Sequence, residues 1–145
     1  MKVREIMTRN IEAVDAQATV RDVAELMRRL DVGVIPVVEQ NRVAGVITDR
    51  DVCLRCVADN RNATHTAARE IMSSDVRTAS EDDDVRDAAN LMKRDQIRRL
   101  VVVDSEDRAV GMVTLGDLAV HCNDGNVTAD ALEEISRPCE PARGI

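Results

Sequence analysis

The stretch Gly45-Val46-Ile47-Thr48-Asp49-Arg50-Asp51 decides the fold, because a close copy, Gly111-Met112-Val113-Thr114-Leu115-Gly116-Asp117, follows later in the chain. Each copy predicts a buried apolar strand that ends at a threonine and leads, three residues later, to an aspartate at the start of a helix. Backbone N–H groups at a helix start are unpaired, and the threonine and aspartate add a hydroxyl and a carboxylate. Such a corner suits a small anionic molecule rich in hydroxyl groups.

The duplication extends through most of the chain. Residues 4–8 match residues 69–73 at a spacing of 65, and the spacing becomes 66 after one insertion in a polar turn. Internal repeats of this kind determine the architecture. The sequence therefore predicts a first motif at residues 1–60, a linker at 61–67 and a second motif at 68–123. A short helix with a loose tail is expected at 124–145.

Both repeats predict the same order of elements. Thr19 and Asp84 stand where the N-cap of an amphipathic helix is expected. Two β-branched runs separated by polar residues follow in each repeat and predict a hairpin. A second helix then follows, at 49–58 in the first repeat and beginning near 115 in the second. A last helix is expected at 128–135. Because Pro36 cannot donate a backbone hydrogen bond, we expect its strand to lie at a sheet edge or to begin there.

Composition narrows the class of protein. Of the 145 residues, 44% are hydrophobic and 32% are charged, which is the balance of an ordinary globular domain. The formal net charge of −7 and the lack of Phe, Tyr and Trp argue against nucleic acid as a partner, since such binding needs a basic surface and aromatic stacking platforms. No apolar run reaches the roughly 18 residues of a membrane span, so we expect a cytoplasmic protein with no membrane partner.

A tandem repeat of strand, helix, strand, strand and helix that ends in Gly-apolar-apolar-Thr-x-x-Asp resembles the cystathionine β-synthase (CBS) domain pair, or Bateman module. The resemblance covers residues 1–123, and Gln96-Ile97-Arg98-Arg99-Leu100 and Leu115-Gly116-Asp117-Leu118 fit the stand-alone bacterial kind. It implies an α+β fold of two β-α-β-β-α motifs, related by a pseudo-two-fold axis and packed sheet to sheet. It also implies two clefts that commonly hold adenosine-containing ligands, and a disc-like homodimer.

The resemblance assigns roles in nucleotide binding to the two corners. Asp51 and Asp117 match the family aspartate that accepts hydrogen bonds from ribose hydroxyls. Thr48 and Thr114 match its hydroxyl partner near ribose or phosphate. The chemistry agrees with this assignment, because a carboxylate can accept from two vicinal hydroxyls at once and a threonine hydroxyl can both donate and accept.

Further matched positions surround the two clefts. Ile35 and Pro36 match the start of the strand that forms the wall of the adenine pocket. Arg98 and Arg99 match a family position that often carries basic side chains directed at phosphates, and guanidinium groups suit bidentate phosphate binding. In the family, a ligand held by one motif points its phosphates toward the other. We therefore expect phosphate to be favoured at the first-repeat aspartate, with Arg50 at the helix start as a third charge.

Other interpretations of these residues stay open. Thr-x-x-Asp is also a capping-box-like pattern, so each pair could simply close the first turn of a helix. Arg98 and Arg99 could be solvated surface residues. Four cysteines are too few for a disulfide framework, but Cys53-Leu54-Arg55-Cys56 is a Cys-x-x-Cys motif. Candidate partners for a zinc or thiol-redox site are His65, His121 and Cys122.

These features predict a non-catalytic regulatory module that senses AMP, ADP, ATP, NAD or S-adenosylmethionine and passes the bound state to a downstream protein. The signal would be a ligand-dependent rearrangement of the motifs or of the homodimer. The sequence contains no discernible nucleophile with a neighbouring base, glycine-rich phosphate loop or paired-carboxylate site, so we expect neither catalysis nor a required cofactor. The alternative is a zinc-binding or thiol-redox protein on a CBS scaffold that lacks nucleotide.

Overall fold

Two β-sheets and the helices that pack on them form the computed structural model of this chain, which describes residues 1–137. The predicted loose tail begins at Arg137, and the rest of it lies outside the described residues. In chain order the elements are a 3-10 helix (Val3–Glu5), β1 (Thr8–Arg9), β2 (Val14–Asp15), α1 (Val20–Leu30), β3 (Val34–Glu39), β4 (Arg42–Thr48), α2 (Asp49–Asp51) continued by a π-helix (Val52–Val57), α3 (Ala68–Ile71), β5 (Thr78–Ser80), α4 (Val85–Asp95), β6 (Arg99–Val103), β7 (Ala109–Thr114), α5 (Leu115–His121) and α6 (Gly125–Ser136).

The first helix of each repeat begins where the sequence predicts. Thr19 caps α1, because its Oγ1 accepts a hydrogen bond from the backbone N–H of Asp22 at 3.1 Å. Asp84 caps α4 by accepting from the backbone N–H of Arg86 at 2.9 Å. This hydrogen bond lowers the pKa of the Asp84 carboxyl. Local side-chain chemistry therefore fixes both helix starts.

The central position of β3 contradicts the expectation for Pro36. This strand begins at Val34 and lies between β2 and β4, with Pro36 opposite Val46. Proline is tolerated there because Val46 exchanges both of its backbone hydrogen bonds with Ser73, at 2.9 and 3.0 Å, and so requires no donor from β3. On the other side, β2 pairs with β3 only from Val37 onward.

The compact units of the fold do not coincide with the sequence repeats. One unit comprises Met1–Arg9, Thr78–Val102 and the described residues from Gly111 to Arg137, and the other comprises Asn10–Arg77 and Val103–Val110. In the first unit β1 pairs with β7, and in the second a bridge joins Val46 on β4 to Ser73 after α3. The opening segment of each repeat thus pairs with a strand of the other repeat. The division of the chain at 1–60, 61–67, 68–123 and 124–145 stays a prediction.

The glycine that opens each corner motif is required by this exchange. A Cβ on Gly45 would lie 2.7 Å from the carbonyl oxygen of Ser73. A Cβ on Gly111 would lie at the same 2.7 Å distance from the carbonyl oxygen of Thr8. Real Cβ atoms do not approach oxygen so closely, so only glycine allows the exchanged segment to pair with the strand.

The segment between the repeats forms backbone hydrogen bonds with the start of α1. The carbonyl oxygens of Thr66 and Ala63 accept from the backbone N–H groups of Val20 at 2.9 Å and Arg21 at 3.1 Å. The Thr66 side chain is buried, and its hydroxyl donates to the carbonyl oxygen of Asn62 at 2.8 Å. These contacts supply the helix with partners for its first N–H groups.

The C-terminal helix is longer than predicted. Expected at 128–135, α6 begins at Gly125 because Asp124 acts as its N-cap and accepts from the backbone N–H of Asn126 at 3.2 Å. It packs on α4 and α5, and Ala131 is buried in that contact. No helix within residues 1–137 is both long enough and apolar enough to cross a membrane.

Candidate functional site

The first-repeat corner, where β4 meets α2, is built as a reciprocal capping box. The backbone N–H of Thr48 donates to Asp51 Oδ2 at 2.9 Å, and the backbone N–H of Asp51 donates to Thr48 Oγ1 at 3.1 Å. The Asp51 side chain is 15% exposed. One carboxylate oxygen thus serves the helix cap, which fits the capping interpretation, while the other, Oδ1, takes no part in that cap.

The second-repeat corner, where β7 meets α5, repeats this geometry. Asp117 Oδ2 accepts from the backbone N–H of Thr114 at 2.7 Å and from its hydroxyl at 2.8 Å. In return, Thr114 Oγ1 accepts from the backbone N–H of Asp117 at 3.1 Å. Within residues 1–137, Asp117 Oδ1 has neither a hydrogen-bond donor nor a cation as partner, so this oxygen keeps its capacity to accept.

The residue just before the first strand of each hairpin, β3 or β6, holds the helix start through its backbone. The carbonyl oxygen of Gly33 accepts from the backbone N–H of Asp49 at 2.9 Å, and the carbonyl oxygen of Arg98 accepts from that of Leu115 at 2.9 Å. The sequence pattern does not predict these links, because they join backbone groups that lie far apart along the chain. They fix where each corner lies relative to the neighbouring strand.

The predicted adenine-wall and phosphate residues divide between the two compact units. Ile35 and Pro36 are buried in the unit that contains Asp51. Arg98 and Arg99 are exposed, belong to the unit that contains Asp117, and form no ion pair within residues 1–137. Arg50 is exposed beside its own corner. The expected approach of Arg98 and Arg99 to the first-repeat ligand therefore stays a prediction.

Arg55 belongs to the first-repeat corner, although the sequence analysis assigns it no role there. Its Nε lies 3.8 Å from Asp51 Oδ1, and its Nη1 donates to the carbonyl oxygens of Ile71 at 3.1 Å and Met72 at 3.2 Å. The spacing of four residues between Asp51 and Arg55 is the signal that could have identified the pair. In the second repeat His121 stands at the equivalent position.

The Cys-x-x-Cys motif lies on a π-helix, where its two thiols differ in environment. The predicted helix is present, but beyond Asp51 it winds with i→i+5 bonds, as in the 2.9 Å bond from the N–H of Ala58 to the carbonyl oxygen of Cys53. Cys53 is exposed, whereas Cys56 is buried with its Sγ 3.6 Å from the carbonyl oxygen of Arg61. The two side chains therefore do not form one exposed pair.

The remaining zinc and redox candidates gain no common site from the fold. His65 and His121 are exposed, and Cys122 is half-buried, where burial raises the pKa of its thiol. Across the described part of the chain, no group of three His, Cys, Asp or Glu side chains is placed to hold a metal ion. Cys139 lies outside that part.

Comparison with known proteins agrees with the duplicated architecture. The model of the CBS domain family matches residues 3–57 and 68–123. The chain is 40% identical over 134 residues to the CBS domain-containing protein YhcV of Bacillus subtilis, a match that spans 92% of this chain and 94% of that protein. The identity extends well beyond the two corner motifs.

Two solved structures resemble the fold of this chain. The CBS domain protein PAE2072 from Pyrobaculum aerophilum, complexed with AMP, has a TM-score of 0.75 at 27% identity, covering 92% of this chain and 99% of that one. Hypoxic Response Protein I, with two coordinated zinc ions, has a TM-score of 0.76 at 28% identity, covering 83% of this chain and 98% of that one.

The two segments matched by the family model contain the two corners, with Thr48 and Asp51 in one and Thr114 and Asp117 in the other. The predicted α+β class is confirmed by the two sheets and their helices. This chain belongs to the CBS domain family and carries two CBS domains in tandem.

Proposed function

We propose that this protein is a non-catalytic regulatory module that binds an adenosine-containing ligand through the ribose at its Thr-x-x-Asp corners. The observation that carries the proposal is the duplicated corner itself. In both repeats one carboxylate oxygen, Oδ2, closes the helix cap and the other, Oδ1, takes no part in it. The AMP bound to PAE2072, a structure of similar fold, supports the choice of ligand class.

The geometry of the corner suits a ribose. The helix cap uses only Oδ2 of each aspartate, so Oδ1 is left to accept from the two vicinal hydroxyls of the sugar. In the first corner the Thr48 hydroxyl accepts from Asp51 and keeps its own proton for a ligand oxygen. In the second, the Thr114 hydroxyl donates to Asp117, and a ligand there would have to displace that bond.

The charge around the two corners differs. Arg50 and Arg55 flank the first-repeat corner, whereas Gly116 and His121 occupy these positions in the second. A ligand with phosphates, such as AMP, ADP, ATP or NAD, is therefore favoured at Asp51. The bound state would be passed to a downstream protein through a rearrangement of the two CBS domains or of a homodimer, by differential affinity of the ligand for the two arrangements.

A calorimetric and thermal-shift panel tests this proposal. Wild type, Asp51→Asn and Asp117→Asn are titrated with AMP, ADP, ATP, NAD and S-adenosylmethionine. A compound at a hundred times its dissociation constant stabilises the wild type by about 2.7 kcal/mol. Phosphate-bearing compounds should lose most of their affinity in Asp51→Asn and less in Asp117→Asn, because each variant removes the ribose acceptor from one corner.

The matched control is Asp22→Asn. Asp22 forms the same kind of capping box with Thr19 at the start of α1, where no ligand is proposed. Loss of this cap costs about 1 kcal/mol of stability but leaves nucleotide affinity unchanged. If no compound of the panel binds the wild type, or if Asp22→Asn weakens binding as much as Asp51→Asn, the proposal is wrong.

A zinc or thiol function is the second candidate, and the two zinc ions in the structure of Hypoxic Response Protein I are the observation that favours it. The described residues favour it less, because Cys56 is buried and no three suitable side chains converge. Metal analysis of the purified protein separates the two candidates. Stoichiometric zinc in the wild type that is lost in Cys53→Ser would support the second candidate.

A further inference from the structure

Arg55 connects the first-repeat corner to the segment that follows α3. One guanidinium nitrogen, Nε, lies beside Asp51 Oδ1. Another, Nη1, donates to the carbonyl oxygens of Ile71 and Met72. A guanidinium has five N–H donors in a fixed planar arrangement, so one side chain can serve the carboxylate and both carbonyls together. The carbonyls belong to the last turn of α3, where cationic side chains are favourable.

The same segment is joined to the corner a second time, through the backbone. Ser73, the residue after Met72, exchanges hydrogen bonds with Val46, two residues before Thr48 on β4. Contacts therefore form a closed ring that runs from the cap of Thr48 and Asp51 through Arg55 to the end of α3, and back along β4. A change in the position of the carboxylate reaches α3 through one side chain.

The second-repeat corner lacks this connection. Its equivalent residue, His121, is exposed and has neither a hydrogen bond nor an ion pair within residues 1–137. Asp117 Oδ1 likewise has no cation beside it in that part of the chain. The two corners thus share the cap but differ in what their outward carboxylate oxygen touches.

We propose that Arg55 is a positioning residue that holds Asp51 Oδ1 for the ribose and transmits the occupancy of the first corner to residues 68–73. The inference rests on the proposed function, because Asp51 is taken as the ribose acceptor. A sugar that fixes the carboxylate also fixes the guanidinium and, through it, the carbonyls of Ile71 and Met72. Amides of this segment then open less often. The first corner is the signalling site, and the second corner binds without such a side-chain link to residues 4–8, the counterpart of residues 69–73.

Hydrogen exchange of the full chain with and without saturating AMP tests the inference. In the wild type, AMP should slow exchange in residues 45–51 and also in residues 68–73. In Arg55→Gln, AMP should bind severalfold more weakly and, once saturating, should still protect residues 45–51 but no longer 68–73. Arg55→Lys keeps the charge without the planar donors, so it should restore affinity in part and the distant protection little.

Arg28→Gln is the matched control, because it removes an exposed guanidinium on α1 whose ion-pair partner is Glu25. It should leave both AMP affinity and the distant protection as in the wild type. Unchanged affinity and unchanged protection of residues 68–73 in Arg55→Gln overturn the inference while leaving the proposed function intact. If the wild type binds no adenosine compound, the proposed function and the inference fall together.

Discussion

The two corners have the same cap and different neighbours. Thr48 with Asp51, and Thr114 with Asp117, close their helices through the same pair of backbone-to-side-chain bonds. Arg55 lies beside the first aspartate, while the second has His121 at that position. The two backbone-to-side-chain bonds of the cap are local and occur in both repeats, whereas the surroundings, which decide what each corner can bind and transmit, differ.

The largest expected effect comes from a pair of equivalent alanines on the first helices of the two repeats. Ala89 on α4 is buried in the unit where α6 packs on that helix, whereas Ala24 on α1 is exposed. Ala89→Arg should therefore lower the free energy of unfolding by on the order of 3 kcal/mol, because it forces an unpaired charge into a packed contact. Ala24→Arg should change it by less than about 0.5 kcal/mol. Urea unfolding measures both values, and equal losses would contradict the difference between the two helices.

A smaller loss is expected at the glycine of each corner motif. Gly45→Ala places a Cβ 2.7 Å from the carbonyl oxygen of Ser73, so the exchanged segment must move away from β4. Overpacking of this kind costs about 1–3 kcal/mol. Gly116→Ala is the control, because its Cβ meets nothing closer than Thr114 Oγ1 at 3.5 Å. That substitution should instead stabilise α5 by roughly 0.5–1 kcal/mol. Denaturant midpoints of the two variants should move in opposite directions.

Elements that are specified by neighbouring residues could be predicted from the sequence. The caps at Thr19 and Asp84 and the Thr-x-x-Asp corners all depend on residues within three positions of each other, and the hairpin strands are separated by short polar turns. The start of α6 lies three residues before the predicted one, because Asp124 supplies a local N-cap there. Local chemistry was sufficient wherever the partner lay within one turn.

Features that depend on a distant partner could not be predicted. Pro36 is accommodated in a central strand only because Val46 is paired with Ser73 of the other repeat. The link from Arg55 to the carbonyl oxygens of Ile71 and Met72 forms only because the chain returns to bring the end of α3 beside it. Neither the exchange of opening segments nor the contacts it creates leaves a periodic pattern. The glycines at 45 and 111 were the one visible trace.

The smallest expected effect is on how stability falls at acid pH. It distinguishes the two repeats because they have different side chains at two equivalent positions. Backbone hydrogen bonds from Arg86 and Arg108 hold the pKa values of Asp84 and Asp104 below the ordinary value of 3.8. The first repeat has Thr19 and Glu39 at these positions. A depressed folded pKa contributes stability that is complete above the unfolded value and is lost as the pH falls through the folded value.

Asp84→Thr therefore installs the cap of the first repeat and removes one titrating group from the second. Threonine caps about as well as aspartate, so the free energy of unfolding near pH 7 should change little. As the pH falls through and below the ordinary carboxyl value of 3.8, the variant should lose less stability than the wild type, because it has no carboxylate to protonate at this position. Asp59→Asn, at an exposed position without a hydrogen bond or ion pair within residues 1–137, should follow the wild-type curve. If Asp84→Thr and wild type lose stability in parallel as the pH falls, the carboxylate at the α4 cap is not the source of the acid sensitivity.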